Sequence, residues 1–287
     1  MNIDRFVVPS EEKKFSLKKY SPGSTEGMKD EDEAVRRLEK CHAELAELQE
    51  KLYAQDVYGV LLIFQALDAA GKDSTIKMVM SGVNPQGCQV FSFKAPSLEE
   101  LDHDFMWRAM KRMPERGRIG IFNRSYYEEM LVVRVHPEFL AKQKLPPSAK
   151  KDIWKHRFED VNAIEKYLWR NGIIPIKFYL NVSKDAQLKR FLKRLDKPNK
   201  NWKFSEADAK ERACWDAYMK AYEEMLAATS TEHAPWYVIP ADNKWYTRVA
   251  VAEVVVQRLK ELDLRFPEVP KERRQQLLDL RKKLIAS

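Results

Sequence analysis

Residues 57–78 read V-Y-G-V-L-L-I-F-Q-A-L-D-A-A-G-K-D-S-T-I-K-M, and the fold turns on how they are read. Val60, Leu61, Leu62, Ile63 and Phe64 form an unbroken apolar run, the pattern of a strand covered on both faces in a parallel sheet. The run breaks at Gln65, and Ala66 to Gly71 are small residues around one acid, Asp68. A helical pattern then continues through Ile76, Met78 and Val79. Strand, small-residue loop, Gly-Lys and helix start is the layout of a phosphate-binding loop. Its backbone N–H groups and the positive end of the helix hold an anion, and the lysine reaches further phosphates. The candidate phosphate-binding residues are Ala69, Ala70, Gly71, Lys72, Asp73, Ser74 and Thr75.

The match to G-x-x-x-x-G-K-[ST] is incomplete. Ala66 stands at the first glycine, Asp73 follows the lysine, and Ser74 and Thr75 come one and two residues late. The plain alternative is a strand-to-helix turn with a surface lysine; the buried strand and following helix favour phosphate. A carboxylate at Asp68 would repel bound phosphate unless a divalent cation lay between them, as Mg²⁺ does when it binds one or two carboxylates plus phosphate oxygens. The other reading of Asp68 is a loop cap bonded to local N–H groups.

The chain has 287 residues, 44% hydrophobic and 33% charged, enough for a full core. No apolar run approaches the ~20 residues of a membrane span, and Met1 to Lys14 lack a signal-peptide core. Three scattered cysteines and five scattered histidines give no disulfide framework and no zinc spacing, so a reducing, cytoplasmic setting is expected. A net charge of +8 calls for an anionic partner: nucleotide, nucleic acid or another polyanion.

Along the chain, residues 1–29 read as an extended arm and residues 30–265 as the main domain, with residues 266–287 as a basic C-terminal helix. Leu38, Cys41, Leu45, Leu48 and Leu52 mark a helix on the core. Further strands are expected at 89–93, 118–122, 173–180, with Pro175 hinting at an edge or strand start, and 236–240. Helices are expected at 97–113, opened by a Ser97/Glu100 capping box, at 150–170 and at 205–228. Strands alternating with helices predict a three-layer α/β/α sandwich with a five-stranded parallel sheet. In such a sheet ligands sit beyond the carboxyl ends of the strands, so Asn123 and Arg124 fall on the rim of the phosphate loop. An arginine there can clamp phosphate through two N–H groups; capping Asn and surface Arg is the alternative. Residues 187–203 hold Lys189, Arg190, Lys193, Arg194, Lys197, Lys200 and Lys203 against Asp196 alone. That basic stretch, interrupted by Pro198, reads as a lid over about 187–212, or as a solvated basic face.

From about Lys19 to Leu264 the sequence resembles the polyphosphate kinases of the second family, the P-loop type. The motifs are Ala66-Leu67-Asp68-Ala69-Ala70-Gly71-Lys72-Asp73, Ser81-Gly82-Val83-Asn84-Pro85 and Phe122-Asn123-Arg124-Ser125-Tyr126-Tyr127-Glu128. Arg194-Leu195-Asp196-Lys197-Pro198, Trp202-Lys203 and Ala234-Pro235-Trp236-Tyr237 also match. The resemblance implies a thymidylate-kinase-like fold with a helical lid, moving the terminal phosphate of inorganic polyphosphate to or from a nucleotide with Mg²⁺, or Mn²⁺ in its place. It implies Asp68 as metal ligand, Lys72 on the transferring phosphate, Arg124 as clamp, and Arg190 or Arg194 reaching in from the lid. Lys197, Lys200 and Lys203 would track polyphosphate. Asn123 departs from the family's commoner Asp and points to the subgroup, class III, that accepts both nucleoside mono- and diphosphates. The partners implied are polyphosphate and nucleotides such as AMP and ADP, without nucleic acid or membrane, in a homo-oligomer, dimer or tetramer. The competing functions are an ATP-dependent nucleotide kinase on the same fold and a basic RNA-binding module.

Overall fold

β1 (Gly59–Gln65) is buried at all seven positions. It lies at the centre of the sheet because it can form ladders on both sides and has no polar face to turn to water. The structure, a computed structural model, describes residues 1–10 and 15–286. The other strands are β2 (Cys88–Ser92), β3 (Ile119–Asn123), β4 (Ile173–Asn181) and β5 (Trp236–Pro240). All are parallel, in the order β2-β3-β1-β4-β5. The helices of eight or more residues are α1 (Glu31–Gln55), α2 (Lys72–Val79), α3 (Ile153–Arg170), α4 (Lys184–Leu195), α5 (Glu206–Ala213), α6 (Trp215–Thr229), α7 (Lys244–Lys260) and α8 (Lys271–Ala286). The expected α/β fold with a five-stranded parallel sheet is what forms.

The sheet's topology places the site. β3 and β4 flank β1, with Phe64 opposite Asn123 and Gln65 opposite Tyr179. The segments leaving β1, β3 and β4 therefore emerge side by side at one rim, where the chain's direction of winding changes. β4 is second from the edge, yet it contains Pro175. Pro175 pairs with Leu61 on one side, while on the other β5 begins, with Trp236, only opposite Lys177. At that residue β4 is locally an edge, so the missing N–H leaves β5 intact.

Three expectations need correcting. Within the expected arm, the described residues 1–10 and 15–29 pack on the domain: Ile3, Phe6, Val8 and Leu17 are buried, and Val7 bridges Tyr237, which covers the free edge of β5. Those apolar residues follow no helical or strand period, so the prolines and glycines dominate the sequence pattern. The segment 97–113 has its capping box but forms two short helices, Leu98–Leu101 and Trp107–Met110. Asp104 between them accepts from the Met106 N–H, a local bond that competes with the helix ladder. The helix expected over 205–228 is broken at Cys214 into α5 and α6.

A buried ion pair ties the layers together behind the rim. Lys177 and Glu165 have no exposed side-chain surface and meet at 2.6 Å. The ammonium also donates to the Thr229 carbonyl (2.7 Å) and the Tyr127 hydroxyl (3.0 Å), which satisfies all three of its donors. Glu165 accepts in turn from the hydroxyls of Tyr126 and Tyr127. Burial lowers the Lys177 pKa, and Glu165 opposes that shift. Removing one partner from such a pair typically costs about 3–5 kcal/mol, because the other charge is left buried alone. The network fixes Tyr126 and Tyr127, two and three residues beyond Arg124, to β4, α3 and α6.

Candidate active site

The loop between β1 and α2 turns on two left-handed residues, Ala69 (φ 60°) and Gly71 (φ 111°). Gly71 caps α2 without a side chain, so the first N–H groups of the helix open towards the loop. Lys72 arches back and donates to the Ala66 carbonyl at 2.6 Å. Burial, aided by the Arg124 charge, lowers its pKa to about 8, with Asp68 pulling the other way. Ser74 Oγ donates to the Gly71 carbonyl at 2.9 Å. Ala69, Gly71, Lys72, Asp73 and Ser74 line the cleft above the loop. Ala70 and Thr75 are buried, at 2% and 3% exposure, and do not line it.

Across the rim, Asn123 ends β3, and its amide donates to Asp73 Oδ1 at 2.6 Å. Arg124 follows in a left-handed conformation, φ 62°, that costs a non-glycine residue about 1–2 kcal/mol. Its N–H bonds the Phe64 carbonyl, and its guanidinium meets Asp68 Oδ1 at 2.8 Å. A second nitrogen lies 4.0 Å from Glu128 Oε2. Glu128 and Asp68 raise the Arg124 pKa, with Glu128 the larger influence. Burial raises that of Glu128, and Arg124 and Lys72 hold it back.

Asp68 and Arg124 border two cavities at once. On one side is an open cleft of about 680 Å³, lined by nine Lys/Arg side chains against three Asp. On the other is a smaller pocket of about 240 Å³ with Trp215, Tyr218 and Tyr222 of α6, Leu131, Val132 and the carboxylates of Glu128 and Glu211. The ion pair is the partition between a cationic space and an aromatic one.

The basic stretch expected to form a lid folds as α4, the turn Pro198–Lys203 and α5. It separates the two arginines left open by the sequence. Arg190 donates to four backbone carbonyls: Ala69 (2.9 Å) and Ala70 (2.7 Å) of the loop, Ala241 (2.5 Å) and Asp242 (3.0 Å) beyond β5. It is a strut beneath the loop. Arg194, one turn further along α4, donates to the Lys203 carbonyl at 3.2 Å and sits 3.5 Å from Asp208. Lys200 and Lys203 line the cleft, whereas Lys197 is exposed and does not. Lys94, Lys193 and Lys244 also line the cleft; of these, Lys94, just beyond β2, was not singled out in the sequence. Sequence reading also passed over Trp215, Tyr218 and Tyr222, whose spacing of three and four reads as an ordinary core stripe. The i,i+4 spacing of Arg124 and Glu128 was the available signal for Glu128.

Among the described residues no group of three or more His, Cys, Asp or Glu could hold a metal by itself. Asp68 and Asp73 both face the cleft, and one or two carboxylates completed by phosphate oxygens is the donor set that suits Mg²⁺. No helix among the described residues is long and apolar enough to cross a membrane.

A parallel sheet, a Gly-Lys loop at the start of a helix, an arginine just beyond the neighbouring strand β3 and a basic helical segment lining the cleft are the parts of a P-loop phosphotransferase. Comparison with known proteins narrows this. The family profile for polyphosphate kinase 2 (PPK2) matches residues 28–267. The chain is 52% identical over 243 residues to the ADP-polyphosphate phosphotransferase of Rhodopseudomonas palustris, covering 84% of each. It is 41% identical over 256 residues to the AMP/ADP-polyphosphate phosphotransferase of Meiothermus ruber, covering 89% of this chain and 92% of that protein. The crystal structure of polyphosphate kinase 2 from Arthrobacter aurescens TC1 superposes with a TM-score of 0.86 at 39% identity, over 96% of this chain and 95% of that one. The chain belongs to the polyphosphate kinase 2 family and is a phosphotransferase.

Proposed function

We propose that this protein moves the terminal phosphate of inorganic polyphosphate to AMP and ADP, and to other nucleoside mono- and diphosphates, reversibly and with Mg²⁺ or Mn²⁺. The observation that carries this reading is the partition formed by Asp68 and Arg124. A chain with charge on every unit suits the open cationic cleft, which has no enclosed apolar slot for a base; Trp202 on its wall is 77% exposed. That weighs against ATP as donor. A nucleoside suits the pocket of Trp215, Tyr218 and Tyr222, with carboxylates placed to accept from sugar hydroxyls or base amino groups. The names of the relatives from Rhodopseudomonas palustris and Meiothermus ruber support the same donor and acceptors.

Phosphoryl transfer needs positioning and charge neutralisation more than covalent help. Lys72 and the N–H groups at the start of α2 would hold the phosphate being transferred. Arg124 would leave Asp68 and clamp the phosphate in flight, since the two groups share one opening and a phosphate there competes for the guanidinium. Asp68, with Asp73 beside it, would hold a divalent cation whose charge offsets that of the phosphate oxygens. Asn123 ties up one oxygen of Asp73 through a neutral amide and adds no negative charge of its own to the phosphate rim. Glu128 is held close to Arg124 and faces the acceptor side. The test is a donor-by-acceptor matrix: polyphosphate or ATP as donor, AMP or ADP as acceptor, with products resolved by chromatography. Polyphosphate-dependent formation of ADP and ATP is expected. Turnover with ATP and none with polyphosphate would replace this reading by the nucleotide kinase.

A further inference from the structure

A cavity of about 250 Å³ lies outside the two spaces of the active site. Its walls come from residues 96–108, residues 143–145, Glu129 and Arg157 of α3. Arg157 is 3% exposed. Its Nη1 donates to the Glu129 carboxylate (2.8 Å) and carbonyl (3.1 Å), and its Nη2 to the Gln143 side-chain oxygen (2.5 Å). A guanidinium has five N–H donors, so one on Nε and one on Nη2 have no partner among the described residues. The Arg108 side chain, 10% exposed, donates to the Lys94 carbonyl at 2.7 Å, and the Glu100 carboxylate at 3.8 Å is beyond hydrogen-bond reach. Its other four N–H groups have no partner among the described residues.

The acids on the wall are already engaged. Glu100 accepts from the Ser97 N–H, Asp102 from Lys144, Asp104 from the Met106 N–H, and Glu129 from Arg157 and Gln143. The cavity therefore has spare donors, and it calls for a ligand that accepts. A guanidinium takes both oxygens of a carboxylate side by side. Those four acids outnumber Arg108, Lys144 and Arg157, so a multiply charged anion such as polyphosphate is repelled. Leu101, Phe105 and Leu145 supply apolar surface for the body of the ligand. The volume is below the roughly 300–1,000 Å³ of drug-sized pockets, which limits the ligand to a small one.

The same two arginines touch both sides of the active site. Arg108 holds the carbonyl of Lys94, which lines the cationic cleft. Arg157 holds the carbonyl of Glu129, whose neighbour Glu128 lines the aromatic pocket.

We propose that this cavity binds a small monocarboxylate with an apolar body, its carboxylate on Arg108 and Arg157, and that occupancy acts through those arginines on the walls of the active site as an effector.

The test is isothermal titration calorimetry of the full chain with benzoate, isovalerate, acetate and inorganic phosphate, with folding followed by far-UV circular dichroism. Calorimetry reads binding without turnover, so its result stands whichever donor and acceptor the enzyme uses. Benzoate or isovalerate should bind at least about tenfold more tightly than acetate or phosphate, because apolar contact adds to the charged hydrogen bonds. Arg108→Gln removes a charge, and Leu145→Trp fills the cavity from a half-buried position. Each should weaken binding at least about tenfold with the melting temperature little changed. Lys200→Ala with Lys203→Ala, in the cleft, should leave binding as it is. With benzoate bound, the KM for polyphosphate or for nucleotide should shift at least about twofold in the wild type and stay put in Leu145→Trp. No saturable binding overturns the proposal, as does phosphate bound as tightly as benzoate. Binding weakened by the Lys200/Lys203 pair and not by Arg108→Gln puts the carboxylate in the cleft and overturns it too. Binding that moves neither KM overturns the effector role.

Discussion

At the scale of single residues, the proposed partition between donor and acceptor spaces rests on Asp68. Its carboxylate pairs with Arg124 in the free protein and would hold the cation during transfer. Asp68→Asn keeps the size and loses the charge. Transfer should fall by ~10²- to 10³-fold, the usual loss when one positioned charge leaves such a site, with the melting temperature little changed. Near-normal turnover in saturating Mg²⁺ would remove Asp68 from the reaction. Lys72 gives a pH signature. With its pKa lowered to about 8, it is charged below that pH and neutral above it. kcat/KM should therefore decline above pH about 8 with a slope of one proton, and the limb should vanish in Lys72→Arg even if the rate is lower. Stability moves the other way: the folded pKa lies below the unfolded one, so Lys72 opposes folding while charged, and that penalty is relieved progressively as pH rises from about 8 to 10.5, where the unfolded chain binds the extra proton. Lys72 and Gly71 were readable because strand, loop and helix agree around them. The bond from Asn123 to Asp73 was not, because nothing in the spacing of residues 50 apart says which rim residues touch.

At the scale of elements, the lid divides its cations by where they point. Lys200→Ala with Lys203→Ala should raise the KM for long polyphosphate several-fold and flatten its salt dependence, while the KM for nucleotide stays put. Lys197→Ala should do neither, since its side chain is outside the cleft. Equal effects from all three lysines would make the stretch a solvated basic face. Arg190 and Arg194 separate by stability. Arg190→Ala leaves four carbonyls without their donor and should destabilise the protein by about 3 kcal/mol together with a loss of kcat. Arg194→Ala should act on polyphosphate KM with little change in melting temperature. The basic character of this segment and its break at Pro198 were legible in the sequence. The division of labour inside the segment was not, because residues one helical turn apart share a face but reach different heights above the loop. The same holds for α6: a stripe of Trp215, Tyr218 and Tyr222 reads alike whether it meets a core or a ligand pocket.

At the scale of the whole molecule, the sheet was legible in the sequence because four of its strands are apolar runs flanked by turn signals. The order β2-β3-β1-β4-β5 is a matter of which runs meet in space, and only the structure supplies it. The N-terminal residues were misjudged for the opposite reason: their few apolar side chains gain their meaning from the edge of β5 that they cover. The buried Lys177–Glu165 network joins that sheet to the segment carrying Arg124, so the geometry of the partition depends on the core as much as on the rim. The central claim is that donor and acceptor occupy separate spaces on either side of Asp68 and Arg124. Its most direct measurement is a grid of initial rates over polyphosphate and AMP concentrations for the wild type, for Trp215→Ala and for the Lys200→Ala/Lys203→Ala pair. Trp215→Ala should raise the KM for AMP and leave that for polyphosphate within about twofold, and the lysine pair should do the reverse. Parallel changes in both KM values for both variants would contradict two separate spaces.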